Sequence, residues 1–269
     1  EFRRVLFRSC ILVMSDPLLT VRNLHTYYGD SYVLQGIDLQ LHRGQVLAVL
    51  GRNGMGKTTL VRSIFGLTPA RQGEVRLMGR EISRLSTYRI AQMGMALVPQ
   101  GRRIFRNLSV RENLLLPISD LAGQRRSAMD TSGHVWTLET VLDEFPQLRE
   151  RLSHGGSDLS GGEQQMLAIA RALIRNPQLV LMDEPSEGLS PLYVRHVAQI
   201  LSRLRDLGLA VLLVEQNLPM ALSVADQVLI ISSGRLVFAG TPEELQARPD
   251  VLDAHLGVSA SPPVQKVMS

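Results

Sequence analysis

A glycine-rich segment that follows a short apolar run constrains the fold of this chain more than any other feature. Residues 46–50 are apolar throughout, as expected of a buried strand. They lead into Gly51, where the sequence GRNGMGKT matches the pattern G-x-x-x-x-G-K-S/T. Residues 58–65 then predict a helix that ends at Gly66. The order of strand, glycine-rich loop and helix is typical of α/β proteins that bind phosphate groups.

The residue types in this loop suit a nucleoside triphosphate. Glycines let backbone N–H groups converge on phosphate oxygens, and the N-terminus of the following helix adds positive potential at the same place. The Lys57 ammonium is expected to reach the β and γ phosphates, and the Thr58 hydroxyl to ligate Mg²⁺. The predicted nucleotide-binding residues of this segment are Gly51, Asn53, Gly54, Gly56, Lys57, Thr58 and Thr59.

The lysine count singles out Lys57. Of 29 basic residues, 27 are Arg and only two, Lys57 and Lys266, are Lys. Because Arg fills nearly every other basic position, a retained Lys indicates a place where a compact ammonium cannot be exchanged for a planar guanidinium. Lys266 lies in the C-terminal tail, so Lys57 is the only lysine of the predicted folded domain.

Two further segments place polar residues where a phosphate site needs them. Residues 179–182 predict a buried strand that ends in Asp183 and Glu184. Asp183 suits contact with magnesium, and Glu184 suits polarisation of an attacking water. Upstream, the segment SGGEQ at 160–164 has the S-x-x-E spacing of a capping box. A helix therefore begins there, and its N-terminus is also suited to grip a γ-phosphate.

Composition excludes several other classes of protein. The chain is 45% hydrophobic, enough for a large core, but its apolar runs are far shorter than the ~20 residues of a membrane-spanning helix. Residues 1–13 read as a translated adapter scar, and the remaining 26 basic and 24 acidic residues give a net charge of +2. This balance does not support nucleic-acid binding. The one cysteine, Cys10, excludes a disulfide framework.

The remaining pattern predicts one α/β domain over residues 16–257 with a helical insertion at about 101–158. The predicted strands are 18–23, 33–41, 46–50, 74–78, 179–182, 210–214, 228–231 and 236–239. The first two are expected to form an antiparallel pair. Within the insertion, residues 123–133 have the least ordered composition. A capped helix is predicted to start at Pro242, and residues 258–269 to form a flexible tail.

Together these segments resemble the nucleotide-binding subunit of an ABC transporter. Residues 51–58 are similar to the Walker A loop, 160–164 to the signature sequence and 179–184 to Walker B, in the same order. The signature separates this family from other phosphate-loop NTPases. The resemblance covers about residues 16–257 and implies an α/β P-loop NTPase with a mixed core sheet, an N-terminal antiparallel β subdomain and a helical subdomain.

The resemblance also implies roles for individual residues. Tyr28 is similar to the aromatic residue that stacks on adenine, with Tyr27 as the alternative, and Gln100 is similar to the Q-loop glutamine. The residues implied in catalysis are Glu184, Gln216, Gln100 and Lys57, and those implied in binding Mg²⁺ are Thr58, Gln100 and Asp183. The signature residues Ser160, Gly161, Gly162 and Glu163 are implied to bind the ATP of a second cassette.

Two positions depart from the usual pattern of the family. Ser190 stands where an Asp is common, and Gln216 where most members have a switch histidine. Gln can donate a hydrogen bond to a γ-phosphate, but it cannot become a cation or relay a proton. With the sequences GRNG, VPQGRRIF and VEQN, these departures resemble the second ATPase subunit of branched-chain amino acid importers. Urea and short-chain amide importers have closely similar subunits.

The same resemblance implies partners and a location. The chain is expected at the cytoplasmic face of the inner or plasma membrane, bound to integral-membrane permease subunits and indirectly served by a substrate-binding protein. A second cassette, either a copy or a paralogue, is expected to join it head to tail, and no nucleic acid is expected. Two rival classes fit less well. The first is a cassette protein of DNA repair or translation: the 59 residues between Gln100 and Ser160 are too few for the coiled-coil arm of chromosome-maintenance relatives, and a single phosphate loop argues against tandem-cassette translation factors. The second is a soluble phosphotransferase, which leaves the signature unexplained.

Overall fold

The computed structural model describes residues 16–119 and 134–257. The predicted adapter scar at 1–13, the segment 123–133 and the tail 258–269 lie outside the described residues. The strands are β1 Leu19–Tyr28, β2 Ser31–Leu41, β3 Val46–Leu50, β4 Gln72–Leu77, β5 Arg80–Glu81, β6 Met95–Val98, β7 Leu179–Asp183, β8 Ala210–Glu215, β9 Gln227–Ser232 and β10 Arg235–Gly240. The helices are α1 Lys57–Ile64, α2 Thr87–Gln92, α3 Val110–Ser119, α4 Leu138–Glu144, α5 Pro146–Arg149, α6 Gly161–Leu173, α7 Pro191–Asp206, α8 Leu218–Val224, α9 Pro242–Gln246 and α10 Pro249–Leu256.

The strands form two sheets. The larger has the order β10-β9-β3-β8-β7-β6, in which the last five strands run parallel and β10 pairs antiparallel with β9. The smaller has the order β2-β1-β4-β5 and is antiparallel throughout. Both the mixed core sheet and the antiparallel N-terminal sheet predicted from the sequence are therefore present.

The core sheet is buried on both faces, which explains why its strands read as unbroken apolar runs. In β7, Leu179 and Leu181 pack with α1 and the antiparallel sheet. The alternate residues Val180 and Met182 pack with α6, α7 and the helices α3 to α5. Successive side chains of a strand point to opposite faces, so one apolar strand supplies both layers of the core. Helices α3, α4 and α5 lie in the range predicted to be a helical insertion.

Several elements differ from the sequence prediction. Strand β1 continues past residue 23 to Tyr28, because Asn23 takes a left-handed conformation (φ 46°) and the pairing with β2 shifts its register between Val21 and Leu24. This bulge breaks the alternation that marks a strand. The edge strand β6 and the helix α7 were not predicted. The four residues of β6 are too short to show a period, whereas α7 does carry buried residues at helical spacing.

In the described ranges 16–119 and 134–257, no helix combines the length and the apolar character that crossing a membrane requires.

Candidate functional site

Four core strands bring the predicted site residues to one edge of the sheet. Strand β3 runs into Gly51, β7 ends at Asp183, β8 ends at Glu215 and β6 is followed by Gln100. These strands are parallel, so their carboxyl ends lie on the same side of the sheet. In open α/β sheets this edge is where ligands bind.

Close contacts surround two glycines of the loop, Gly51 and Gly56. A Cβ atom at Gly51 would lie 2.5 Å from the carbonyl oxygen of Ile231, and one at Gly56 would lie 2.9 Å from Leu34 Cδ2. Gly56 is also left-handed, with φ 105°, and it occupies the N-cap position of α1 without a side-chain cap. No side chain therefore caps the backbone N–H groups at the start of α1, and uncapped N–H groups at a helix N-terminus are suited to bind phosphate.

Lys57 folds back into this loop and is almost completely buried, with 4% of its surface exposed. Its Nζ donates hydrogen bonds to the carbonyl oxygens of Gly51 (2.9 Å) and Arg52 (3.3 Å). It also forms an ion pair with Glu184, at 3.0 Å from Oε1. A buried ammonium needs such compensation, so the loop and the Glu184 carboxylate hold the cation at the edge of the sheet.

Glu184 contacts two other predicted site residues, Lys57 and Gln100. Besides the ion pair to Lys57, its Oε2 accepts a hydrogen bond from Gln100 Nε2 at 3.2 Å. The same Gln100 amide donates to Glu187 Oε2 at 3.0 Å. Glu184 has a left-handed backbone (φ 49°), which is rare for a residue with a Cβ and typical of functional sites. The cation, the carboxylate and the amide predicted to act together therefore form one connected set.

Thr58 and Asp183 form the second contact between the loop and β7. The Thr58 hydroxyl donates to Asp183 Oδ1 at 3.1 Å. Burial raises the pKa of Asp183 to about 6; the Thr58 hydrogen bond opposes this rise, and the nearby Glu184 carboxylate adds to it. A hydroxyl beside a buried carboxylate that lacks a full counter-charge is a donor pair of the kind that magnesium prefers. The residues present therefore fit a divalent cation.

Replacing Asp183 with Asn is expected to stabilise the protein in metal-free buffer. The pKa of Asp183 is higher in the folded protein than the ordinary 3.8, so its ionised form opposes folding at neutral pH. This rise in the pKa, from 3.8 to about 6, corresponds to a loss of about 3 kcal/mol at most in the free energy of unfolding. The Asn carbonyl can still accept the Thr58 hydrogen bond. We expect the variant to unfold at higher denaturant concentration than the wild type at pH 7.5.

The stability advantage of the Asp183→Asn variant should shrink as the pH falls from about 6 towards 4, because protonation then removes the same charge from the wild type. Chemical denaturation with EDTA present, at pH 7.5 and at pH 4.5, measures the difference between the two proteins. Equal stability at pH 7.5, or a difference that grows on acidification, would contradict a buried ionised Asp183.

The signature segment forms the capped start of α6. Ser160 caps α6: its Oγ accepts from Glu163 N at 3.3 Å, while Glu163 Oε2 accepts from Ser160 N at 2.7 Å. The predicted capping box is thus confirmed. A Cβ at Gly162 would lie 2.3 Å from the Tyr193 ring, so only glycine fits there. Among the described residues, no hydrogen bond or ion pair joins residues 160–163 to residues 51–59.

The two tyrosines at the end of β1, Tyr27 and Tyr28, have different surroundings. The Tyr27 ring stacks on Tyr32, with ring centres 4.4 Å apart, and also lies 4.4 Å from the guanidinium of Arg71. Tyr28 is 45% exposed, and its hydroxyl lies 3.3 Å from the Thr68 hydroxyl. The ring of Tyr28 is therefore the more accessible of the two for stacking with a planar ligand.

Sequence reasoning missed one buried carboxylate next to the site. Glu215, with 1% of its surface exposed, accepts backbone hydrogen bonds from Ser186 (2.9 Å), Gln216 (3.0 Å) and Asn217 (3.1 Å). It thereby fixes the backbone of Gln216, whose side chain is exposed. The available signal was a charged residue that directly follows an apolar run in a predicted buried strand. Ser190, the other departure, precedes α7 without capping it through its side chain.

The family model described as ABC transporter matches residues 34–187. The chain is 38% identical over 240 residues to the high-affinity branched-chain amino acid transport ATP-binding protein BraG of Pseudomonas aeruginosa, covering 89% of this chain and 100% of that protein. It is also 38% identical over 229 residues to the probable branched-chain amino acid transport ATP-binding protein LivF of Archaeoglobus fulgidus, with 85% and 94% covered.

The chain is also similar to an ATP-binding protein of a different transport system and to solved structures of ATP-binding cassettes. The lipopolysaccharide export system ATP-binding protein LptB of Escherichia coli K12 is 34% identical over 244 residues, with 89% of this chain and 97% of that protein covered. A crystal structure of a nucleotide-free ATP-binding cassette from an ABC transporter superposes with a TM-score of 0.76 at 22% identity. That match covers 91% of this chain and all of the other, and it shows a shared fold.

Proposed function

This chain belongs to the ABC transporter family and is an ATPase of that family, and from this premise we propose that it powers an importer of branched-chain amino acids. The observation that carries the ATPase assignment at residue level is the connected set formed by Lys57, Glu184 and Gln100 beside the Thr58–Asp183 hydrogen bond. The substrate class is supported by the 38% identity to BraG over the full length of that protein.

In the proposed mechanism the loop binds and orients the triphosphate. Backbone N–H groups of residues 51–59 and the Lys57 ammonium hold the β and γ phosphates, and phosphate oxygens replace the carbonyl partners of Lys57. Thr58, Asp183 and Gln100 would hold Mg²⁺, which offsets phosphate charge when bound. The hydrogen bond from Thr58 to Asp183 supports this assignment, as does the hydrogen bond from Gln100 to Glu184, the residue that follows Asp183.

Hydrolysis in this proposal depends on a proton transfer to Glu184. Its carboxylate accepts a proton from the attacking water, and Gln100, which already donates to that carboxylate, orients the water. Gln216 donates a hydrogen bond to the γ-phosphate through its side-chain amide. Because an amide does not titrate near neutral pH, Gln216 itself contributes no protonation step.

The signature residues act, in this proposal, on the nucleotide of a second cassette. Ser160 and Gly162 stand at the N-terminus of α6, where an anion is favoured, yet they make no hydrogen bond to the loop of their own chain in the described ranges. A head-to-tail dimer would place them against the partner's triphosphate. The second cassette would be a paralogue or a copy, and both would bind permease subunits at the cytoplasmic face of the membrane.

Removing the Tyr28 ring is expected to weaken ATP binding. Stacking on a base contributes about 1–3 kcal/mol, so Tyr28→Ala should raise the Kd for ATP by about 5- to 150-fold. Tyr27→Ala is the matched control, because its ring already contacts Tyr32 and Arg71. It should leave the Kd within about twofold while lowering stability. Titration with a fluorescent ATP analogue distinguishes them; a larger loss for Tyr27→Ala would reverse the assignment.

Transport in a reconstituted system tests the substrate class. The tagged chain is purified from host membranes in mild detergent, the copurified permeases are identified, and the complex is placed in liposomes with its binding protein. ATP-dependent uptake of labelled leucine or isoleucine supports the proposal. Uptake of urea or acetamide alone would favour the related amide importers. Copurification with lipopolysaccharide-export components, which the 34% identity to LptB makes the main rival, would overturn it.

A further inference from the structure

The Glu215 carboxylate joins two loops of the site by hydrogen bonds. Its Oε1 accepts from Ser186 N, in the loop that follows β7, while its Oε2 accepts from Gln216 N and Asn217 N, in the loop that follows β8. Each oxygen thus serves a different loop. The side chain is buried, and no ion pair to it exists within the described residues. Backbone N–H groups alone compensate its charge.

The first of these loops begins with a strained residue. Glu184 is left-handed at φ 49°, a conformation that persists in a non-glycine residue only where the surroundings enforce it. Two bonds enforce it from β8: Glu184 N donates to Val214 O at 2.9 Å, and two residues later Ser186 N donates to Glu215 Oε1 at 2.9 Å. The second bond secures the chain just after Glu184 has turned its carboxylate towards Lys57.

The second loop carries Gln216. Its backbone N–H and that of Asn217 both point at Glu215 Oε2, and Asn217 then caps α8 by accepting from Met220 N at 3.1 Å. The position of Gln216 is therefore defined on one side by a helix start and on the other by the same carboxylate that holds the Glu184 loop. A shift of either loop would disturb the other through Glu215.

We propose that Glu215 is a positioning residue that fixes Glu184 and Gln216 relative to each other, so that both face one γ-phosphate. This inference rests on the proposed function of Glu184. It requires a carboxylate, because both oxygens of a carboxylate accept, whereas an amide offers one acceptor and one donor. In Glu215→Gln the NH2 group must face at least one N–H group, so the bond to one loop is lost.

The test measures kcat and ATP affinity separately for the full chain, alone and in its copurified complex. Glu215→Gln is expected to lower kcat by at least about tenfold, since small misplacements of reacting groups are costly. The Kd for a non-hydrolysable ATP analogue should stay within about twofold, because Lys57 and the glycine-rich loop are untouched. The matched control is Asp226→Asn, whose carboxylate accepts from Val46 N (2.7 Å) at the opposite edge of the same sheet.

A double-mutant cycle with Glu184→Gln separates positioning from general destabilisation. Because Glu215 is proposed to act partly through Glu184, adding Glu215→Gln to Glu184→Gln should lower the residual rate by a smaller factor than it lowers the wild-type rate. Fully multiplicative effects, or a Kd that rises as much as kcat falls, would overturn the proposal. Glu215→Asp, which keeps both acceptor oxygens on a shorter stem, should retain more activity than Glu215→Gln if the latter folds poorly.

The outcomes distinguish this inference from the proposed function. Wild-type turnover in Glu184→Gln would refute the proposed role of Glu184 and the positioning role with it. Loss of turnover in Glu184→Gln together with wild-type kcat in Glu215→Gln would refute the positioning role alone. The expected pattern is loss of kcat in both variants, retained ATP affinity in both, and a less than multiplicative loss in the double variant.

Discussion

Replacing Glu184 with Gln is expected to lower the turnover number for ATP by about 10²- to 10⁴-fold while leaving ATP binding intact. The substitution keeps the shape of the side chain and one acceptor oxygen, so the contact with Gln100 can persist. It removes the carboxylate that takes a proton from the attacking water in the proposed mechanism. Neutralising Glu184 also frees Lys57 from its ion pair, so ATP affinity should not fall.

Glu187→Gln is the matched comparison for this experiment. Glu187 accepts from the same Gln100 amide, at 3.0 Å, but it is exposed and makes no ion pair with Lys57 in the described residues. Its neutralisation is expected to change turnover by less than about threefold, as an exposed carboxylate contributes little. Phosphate release under saturating ATP, combined with analogue binding, gives both quantities. Comparable losses in the two variants would show that Glu184 has no special role in proton transfer.

The glycine-rich loop was predictable because its pattern is local in sequence: Gly51, Gly56 and Lys57 lie within seven residues. The contacts that exclude a side chain at Gly51 and Gly56 come from Ile231 and Leu34, so the pattern reveals the loop but not what surrounds it. The strand of Asp183 was equally readable, because strands buried on both faces are apolar throughout. Because β3, β7 and β8 run parallel, their carboxyl ends lie on the same side of the sheet. The continuous apolar runs in the sequence already predicted parallel strands.

The features that escaped prediction depend on contacts between distant residues. Glu215 looked like an ordinary strand end, since its role is defined by the backbone N–H of Ser186, 29 positions earlier. The extension of β1 to Tyr28 depended on a bulge at Asn23 that breaks the alternating pattern. Tyr27 and Tyr28 differ in accessibility because Tyr32 and Arg71 contact the ring of Tyr27. No local sequence pattern indicates which of the two rings these residues contact.

Replacing Lys57 with Ala is expected to raise the Kd for ATP at least about 100-fold. The β and γ phosphates would each lose a hydrogen bond from the ammonium, and each hydrogen bond to a charged group contributes about 1.5–3 kcal/mol. Lys57→Arg should also bind poorly, since a planar guanidinium does not fit a site where the Lys57 stem lies against Gly51. Lys266→Ala, which removes the other lysine of the chain, is the control and should match the wild type.

A stability measurement distinguishes loss of binding from loss of folding in Lys57→Ala. Without the ammonium, Glu184 is a buried carboxylate whose one remaining side-chain partner among the described residues is Gln100, so the nucleotide-free variant should be less stable than the wild type. Adding Glu184→Gln removes that unpaired charge and should restore much of the stability. ATP affinity should remain low in the double variant, because the phosphates still lack their cation. Recovery of ATP binding along with stability would show that Lys57 supports the fold of the loop rather than the nucleotide itself.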